Sequence, residues 1–246
     1  MYDNFAAVYD ILMDNADYKK RTEYLLKLFS KYDKKPTLLL DFACGTGEFS
    51  VRLAKKKIEV VGADISEEML AVAHEKAAKN KSDILFLCQG GKDLELYGTV
   101  DGVISCFDSL NHIVSKTELQ KTLNKISLFL EPERLFVFDV NTEYKHKNVL
   151  AENSFVLDKG NIVCTWQNHY HKFKNIVDIS LDFFINENGK YIRKSESFKE
   201  RAYSVKDWTA MLNKAGLEII DVLGDMSFKN PTETEERIYF VTRKKS

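Results

Sequence analysis

LLLDFACGTGEFS, residues 38–50, runs from an apolar strand through two glycines into a helix. Glycines there let the backbone approach a ligand closely, and the helix that follows offers free N–H groups. Read as G-x-G-x-x-S, with Ser50 in the last small position, the stretch nearly matches a dinucleotide fingerprint, a weak signal by itself. Asp41, four residues before Gly45, separates the cofactor classes. A carboxylate at the strand's end repels a pyrophosphate but suits a cofactor that carries an ammonium group. Asp64, ending the next apolar run (VVGAD), can grip ribose hydroxyls of either class and does not discriminate.

Outward from this turn, apolar runs alternate with amphipathic helices. TLLLDF, KIEVVGAD, ILFLC, VDGVISCF and RLFVFDV read as strands, and GEFSVRLAKK and SEEMLAVAHEKAAK as helices. Ser66 is the expected N-cap of the second helix, with Glu67 and Glu68 in its first turn, where acids complement the helix dipole. Leu119, Leu123, Ile126 and Leu130 mark one face of another helix. Such alternation predicts a parallel sheet covered on both faces. Its ligand site lies outside the carboxyl ends of the strands, where strand order reverses.

From about Ser154 to Tyr203 the pattern shifts to a period of two in NIVCTWQNHYHKF, NIVDISLDFFI and KYIRKSESFKERAY, with a hairpin turn at Glu187-Asn188-Gly189. This predicts an antiparallel insertion. A helix from Val205 to Ala215 and the strands LEIIDVL and RIYFVTR then return the chain to the main sheet. The expected organisation is a core of residues 1–150 and 204–246, whose first 35 residues form a helical lid, with residues 151–203 inserted as a substrate cap or dimer surface.

Net charge is −1, from 36 Lys and Arg against 37 Asp and Glu. That balance argues against a nucleic-acid partner. No apolar run approaches the ~18 residues a membrane span needs, and the acidic opening MYDNFAAVYDIL does not resemble a signal peptide. A cytoplasmic location is expected. The four cysteines are widely spaced without a CxxC pair, so neither a structural zinc nor any other metal is expected.

LDFACGTGEFS resembles motif I of class I S-adenosylmethionine-dependent methyltransferases, and VVGADISEEML resembles motif II. CQGGKDLEL and VDGVISCFDSLNHI are similar to the third and fourth motifs. FAAVYDILM, KERAY and RIYFV resemble one bacterial branch, related to the sugar N,N-dimethyltransferases, that carries an antiparallel insertion. The resemblance implies an α/β, Rossmann-like seven-stranded sheet with S-adenosyl-L-methionine as cofactor. It places Asp41, Ala43, Gly45 and Gly47 at the methionine end, Asp64 at the ribose, and Ile65 and Met69 beside the adenine. Gln89, Gly90 and Phe107 line the rest. Tyr9 would close over the methionine moiety, where a ring face suits a sulfonium; alternatively Tyr9 and Tyr18 are plain packing aromatics.

Three positions depart from the family pattern. Gly90 stands where relatives carry an Asp that meets the adenine amino group, with Asp93 three residues on. His112 replaces a usual Tyr, and Phe198 stands where a His is common. The acceptor must lose a proton, and His112 is the candidate base, with Asp108 to orient it or to face the cofactor. Tyr18, Asn111, Arg201 and Tyr203 are candidates for the acceptor side. The strand-end sequence CFDSLN lacks the motif that holds planar bases, which points to N- or O-methylation of a small molecule by a monomer or homodimer. Two other readings stay open: a non-catalytic protein of the same fold that binds the cofactor, and an NAD(P)-dependent oxidoreductase supported only by the glycines and Asp64.

Overall fold

A computed structural model describes residues 5–246; the first four residues of the expected lid lie outside the described residues. The chain opens with α1 (Phe5–Leu12) and α2 (Tyr18–Tyr32), then alternates through β1 (Leu38–Phe42), α3 (Glu48–Ala54), β2 (Glu59–Asp64), α4 (Glu67–Lys79) and β3 (Leu85–Cys88). β4 (Gly102–Ser105), α5 (Lys116–Phe129) and β5 (Leu135–Asn141) continue it. Strands β6 (Ser154–Asp158), β7 (Ile162–His171), β8 (Ile176–Glu187) and β9 (Lys190–Arg201) follow. The chain closes with α6 (Val205–Lys214), β10 (Leu217–Gly224) and β11 (Arg237–Lys244).

Seven strands form one sheet in the order β10-β11-β5-β4-β1-β2-β3. β1 to β5 run parallel, and β11 lies antiparallel between β5 and β10. Side chains alternate across it: Leu39 joins Leu25, Leu28, Phe29 and Leu53 on one face, while Leu40 joins Leu119, Leu123, Ile126 and Trp208 on the other. Every residue of β5 is buried, as both covered faces require. Chain order reverses between β1 and β4, so the loops after these strands flank the switch point. Ser66 caps α4 as expected, its Oγ accepting from Met69 N at 3.2 Å.

The insertion is a separate antiparallel sheet in the order β6-β7-β8-β9. The sequence pattern showed three strands; the additional one, β6, is only five residues long, too short for its alternation to stand out. Asn188 and Gly189, both at positive φ, make the two-residue turn between β8 and β9, the pairing that matches strand twist. Ile162, Cys164, Val177, Ile179, Phe183 and Ile185 give this sheet its own core, and Val8 of α1 joins it. Phe183 is a core residue and Trp166 and Tyr170 pack against that core, while Phe173 is exposed. A π-helical turn at Lys145–Leu150 connects the two sheets. No helix of the described residues is long and apolar enough to cross a membrane.

Candidate functional site

The loops after β1, β2 and β4 meet beneath α1 and α2. Gly45 and Gly47 both adopt left-handed backbone, at φ 53° and 71°, but for different reasons. A Cβ on Gly45 would meet nothing within 4 Å, so its open face is available to a ligand. One on Gly47 would lie 2.9 Å from the Ala73 Cβ, so Gly47 lets the turn close on α4. Asp64 holds the turn in place, one carboxylate oxygen accepting from Gly45 N at 2.8 Å and the other from Ser66 N at 2.9 Å.

Asp41 is 1% exposed. Burial pushes its carboxyl up to about 7, and the nearby Asp64 charge adds to this against the hydrogen bond that Ser50 Oγ donates at 2.5 Å. Together with Tyr9, Tyr18, Gly45, Glu48 and Phe107 it lines a small cavity of about 40 Å³. α1 is fastened over this cavity. Thr46 Oγ1 donates to Asp10 at 2.6 Å, and Lys76 pairs with Asp10 at 2.7 Å and Glu48 at 2.9 Å. Tyr9 and Tyr18 hydrogen-bond through their hydroxyls, and burial pushes both phenols above their ordinary range.

On the other side of Asp64, Ile65 is 77% exposed and projects over Gly90, and Met69 is half-buried. Gln89 N donates to Asp64 O at 2.9 Å, and its side-chain oxygen accepts from Glu95 N at 2.9 Å. The turn at Gly91–Asp93 folds the chain back, so that Asp93 Oδ2 lies 4.0 Å from where a Cβ on Gly90 would stand. The three-residue displacement seen in sequence closes up in space.

Phe107 and Asp108 are consecutive non-glycine residues at positive φ, 55° and 52°, a conformation that costs about 1–3 kcal/mol each. Asp139 holds it by accepting from both backbone N–H groups, at 3.0 and 2.8 Å. Arg237 bridges Asp108 and Asp139. Burial opposes ionisation of Asp108, but the charges of Arg237, Lys145 and His112 hold its carboxyl well below the usual range. The Phe107 ring packs edge-on to Tyr18 at 5.1 Å, with the Arg21 and Arg237 guanidinium groups 5.4 and 5.7 Å away. Arg21, Arg237, Lys145, Asp225, Thr232 and Glu235 contribute to a groove of about 510 Å³.

His112 follows this turn, with its side chain 43% exposed and its Nε2 3.8 Å from Glu200. Its ring lies against Phe198 at 4.9 Å, so two of the positions that depart from the family pattern touch. Asp108, His112 and Glu200 present ligand atoms within 4.8 Å of one another, but Arg237 and Lys145 already balance Asp108. The acceptor-side candidates separate. Tyr18 faces the small cavity. Asn111 is buried and spends its amide on the backbone of Asn141 and Arg201. Tyr203 OH donates to the carbonyls of Ile113 and Val114, and Arg201 Nη1 to that of Val114. These three tie β9 to the loop after β4. Sequence reasoning missed Asp10, Lys76, Asp139, His146, Glu200 and Arg237. Asp139 was visible as an acid inside an apolar strand; the others needed long-range contacts.

Gly45's open face, the buried Asp41 and the anchored Asp64 fit a cofactor with ammonium and ribose groups, and the fold and this donor set define a class I methyltransferase. Residues 39–133 match the methyltransferase domain family. A Geobacillus sp. (strain WCH70) protein with a provisional methyltransferase name is 33% identical over 245 residues, 99% of each chain. The crystal structure of an S-adenosylmethionine-dependent methyltransferase from Clostridium acetobutylicum ATCC 824 superposes with a TM-score of 0.89 at 29% identity, covering 100% of this chain and 99% of that one. The sugar N-methyltransferase KedS8 from Streptoalloteichus sp. ATCC 53650 shares the fold, with a TM-score of 0.78 at 18% identity over 95% of this chain and 90% of its own. The chain belongs to the S-adenosylmethionine-dependent methyltransferase family, and its cofactor is S-adenosyl-L-methionine.

Proposed function

We propose that the protein transfers a methyl group to nitrogen or oxygen of a small, polar acceptor. The observation that carries this reading is His112, half-exposed beyond the carboxyl end of β4 and clustered with Asp108 and Glu200. The neighbouring groove of about 510 Å³, lined by both acids and bases, suits a small molecule. Asp41, Ala43, Gly45 and Gly47 hold the methionine end, Asp64 the ribose, and Ile65, Met69, Gln89 and Gly90 the adenine. Asp93 takes over the amino-group contact that Gly90 cannot make. Tyr9, Tyr18 and Phe107 close the site against water beneath α1.

The cofactor supplies a methyl group already activated on a sulfonium. The protein's tasks are therefore to align the acceptor, worth several kcal/mol of barrier, and to remove its proton. His112 accepts that proton, and Asp108, kept ionised by Arg237, orients the His112 ring. The 151–203 insertion acts as the substrate cap through Phe198 and Glu200 beside His112, in a cytoplasmic enzyme acting as monomer or homodimer.

The test is incubation with methyl-labelled cofactor and a fractionated extract. Label is expected in a low-mass fraction; label confined to protein or nucleic acid, or none, would refute the proposal. A non-catalytic binder would give the last result while still binding S-adenosylhomocysteine.

A further inference from the structure

Glu200 is a buried carboxylate, its side chain only 5% exposed, at the end of β9. Among the described residues no lysine or arginine pairs with it; its ion-pair partners are two histidines, His112 at 3.8 Å and His146 at 3.3 Å. Asn141 Nδ2 donates to the same oxygen as His146, at 3.0 Å. Both of these bonds are to Oε2; the oxygen nearest His112 is Oε1, to which the described residues give no other hydrogen bond. His146 is fully buried, and its Nδ1 has no hydrogen-bond partner among the described residues, so Nε2 is the nitrogen placed to donate. A buried carboxylate without a fixed cation is costly. Of its two histidine neighbours among the described residues, His112 is the partly exposed one.

Building on the base assignment above, we infer that Glu200 is a positioning residue that fixes the His112 ring and meets its charge during the reaction. As the acceptor's lone pair bonds to the methyl carbon, the sulfur–methyl bond would break with its electron pair staying on sulfur, which leaves as the neutral thioether of S-adenosylhomocysteine. The proton on that nitrogen or oxygen passes to a ring nitrogen of His112. The resulting imidazolium lies beside both Glu200 and Asp108. Lys145 and Arg237 act on Asp108, and Phe198 covers the ring face. A contact of 3.8 Å between rigid elements is the loose form expected before the acceptor binds. Asn141 and His146 keep the carboxylate from rotating away.

The experiment compares Glu200→Gln, His112→Asn and the double variant, using the extract fraction that accepts label at saturating and limiting cofactor. His112→Asn should slow turnover by ~10²–10⁴-fold and Glu200→Gln by a smaller factor, each with the cofactor KM within about twofold. Glu200→Gln should add little in the His112→Asn background, because its effect runs through that ring. Glu200→Asp should recover part of the rate. Full additivity in the double variant, or parental turnover in Glu200→Gln, would overturn the inference. If His112→Asn itself keeps parental turnover, the base assignment fails first. Ring-nitrogen NMR of His112 in the folded, cofactor-free protein needs no acceptor. Its signals should move between parent and Glu200→Gln, and to a lesser extent in Glu200→Asp; coincident spectra in both would also overturn it.

Discussion

Asp41 carries a cost that the cofactor-free protein bears. Its carboxyl is raised from 3.8 to about 7, so ionisation is harder in the folded chain than in the unfolded one. The cost is absent below about pH 4, grows as pH rises towards 7 and levels off above, at roughly 4 kcal/mol as an order of magnitude. Asp41→Asn should therefore raise the melting midpoint at pH 8 by several degrees while weakening S-adenosylhomocysteine. A parental slope of stability between pH 4 and 7 in that variant would contradict the account. Asp93→Ala should weaken S-adenosylhomocysteine by ~10-fold, the worth of one charge-assisted hydrogen bond. The same variant should leave unchanged the affinity for an analogue lacking the adenine amino group, as calorimetry can measure. The Asp41 and Asp64 positions were legible because each ends an apolar strand. Asp93 stood in the sequence only as an acid three residues beyond Gly90; the turn at Gly91–Asp93 brings it back beside that glycine. The His112–Phe198 contact likewise required the insertion's register.

Among the elements, α1 depends most on others for its place. It is eight residues long, too short to be stable alone, and is held by Asp10 to Thr46 and Lys76 and by Val8 in the insertion core. Lys76→Gln leaves Asp10 and Glu48 facing each other without their shared cation. Amide exchange across residues 5–12 should then quicken by ~5–30-fold, the equivalent of about 1–2 kcal/mol, while α4 exchanges as before. Unchanged exchange in α1 would show that the Thr46 bond and Val8 hold it without Lys76. The strands and helices of the main sheet were readable from period and caps because burial on both faces leaves continuous apolar runs. The π-helical turn at Lys145–Leu150 left no such trace, since its shape follows from burying His146 beneath Glu200.

At the scale of the molecule, the two sheets keep separate cores. Phe183→Ala removes a fully buried ring from the smaller one, a loss worth about 3–5 kcal/mol. Its melting curve should gain an early transition confined to residues 154–201, with the main sheet unfolding near the parental midpoint. A single shifted transition would mean that the cores fold as one.

α1 touches both the glycine turn, through Asp10, and the insertion core, through Val8. A helix shared in this way makes the two ligands thermodynamically reciprocal: whatever affinity one gains from the other it must return in equal measure. Cofactor settling under α1 would set the cap for the acceptor, giving a compulsory order of addition with demethylated cofactor departing last. Steady-state inhibition by S-adenosylhomocysteine should then be competitive against the methyl donor and non-competitive against the acceptor.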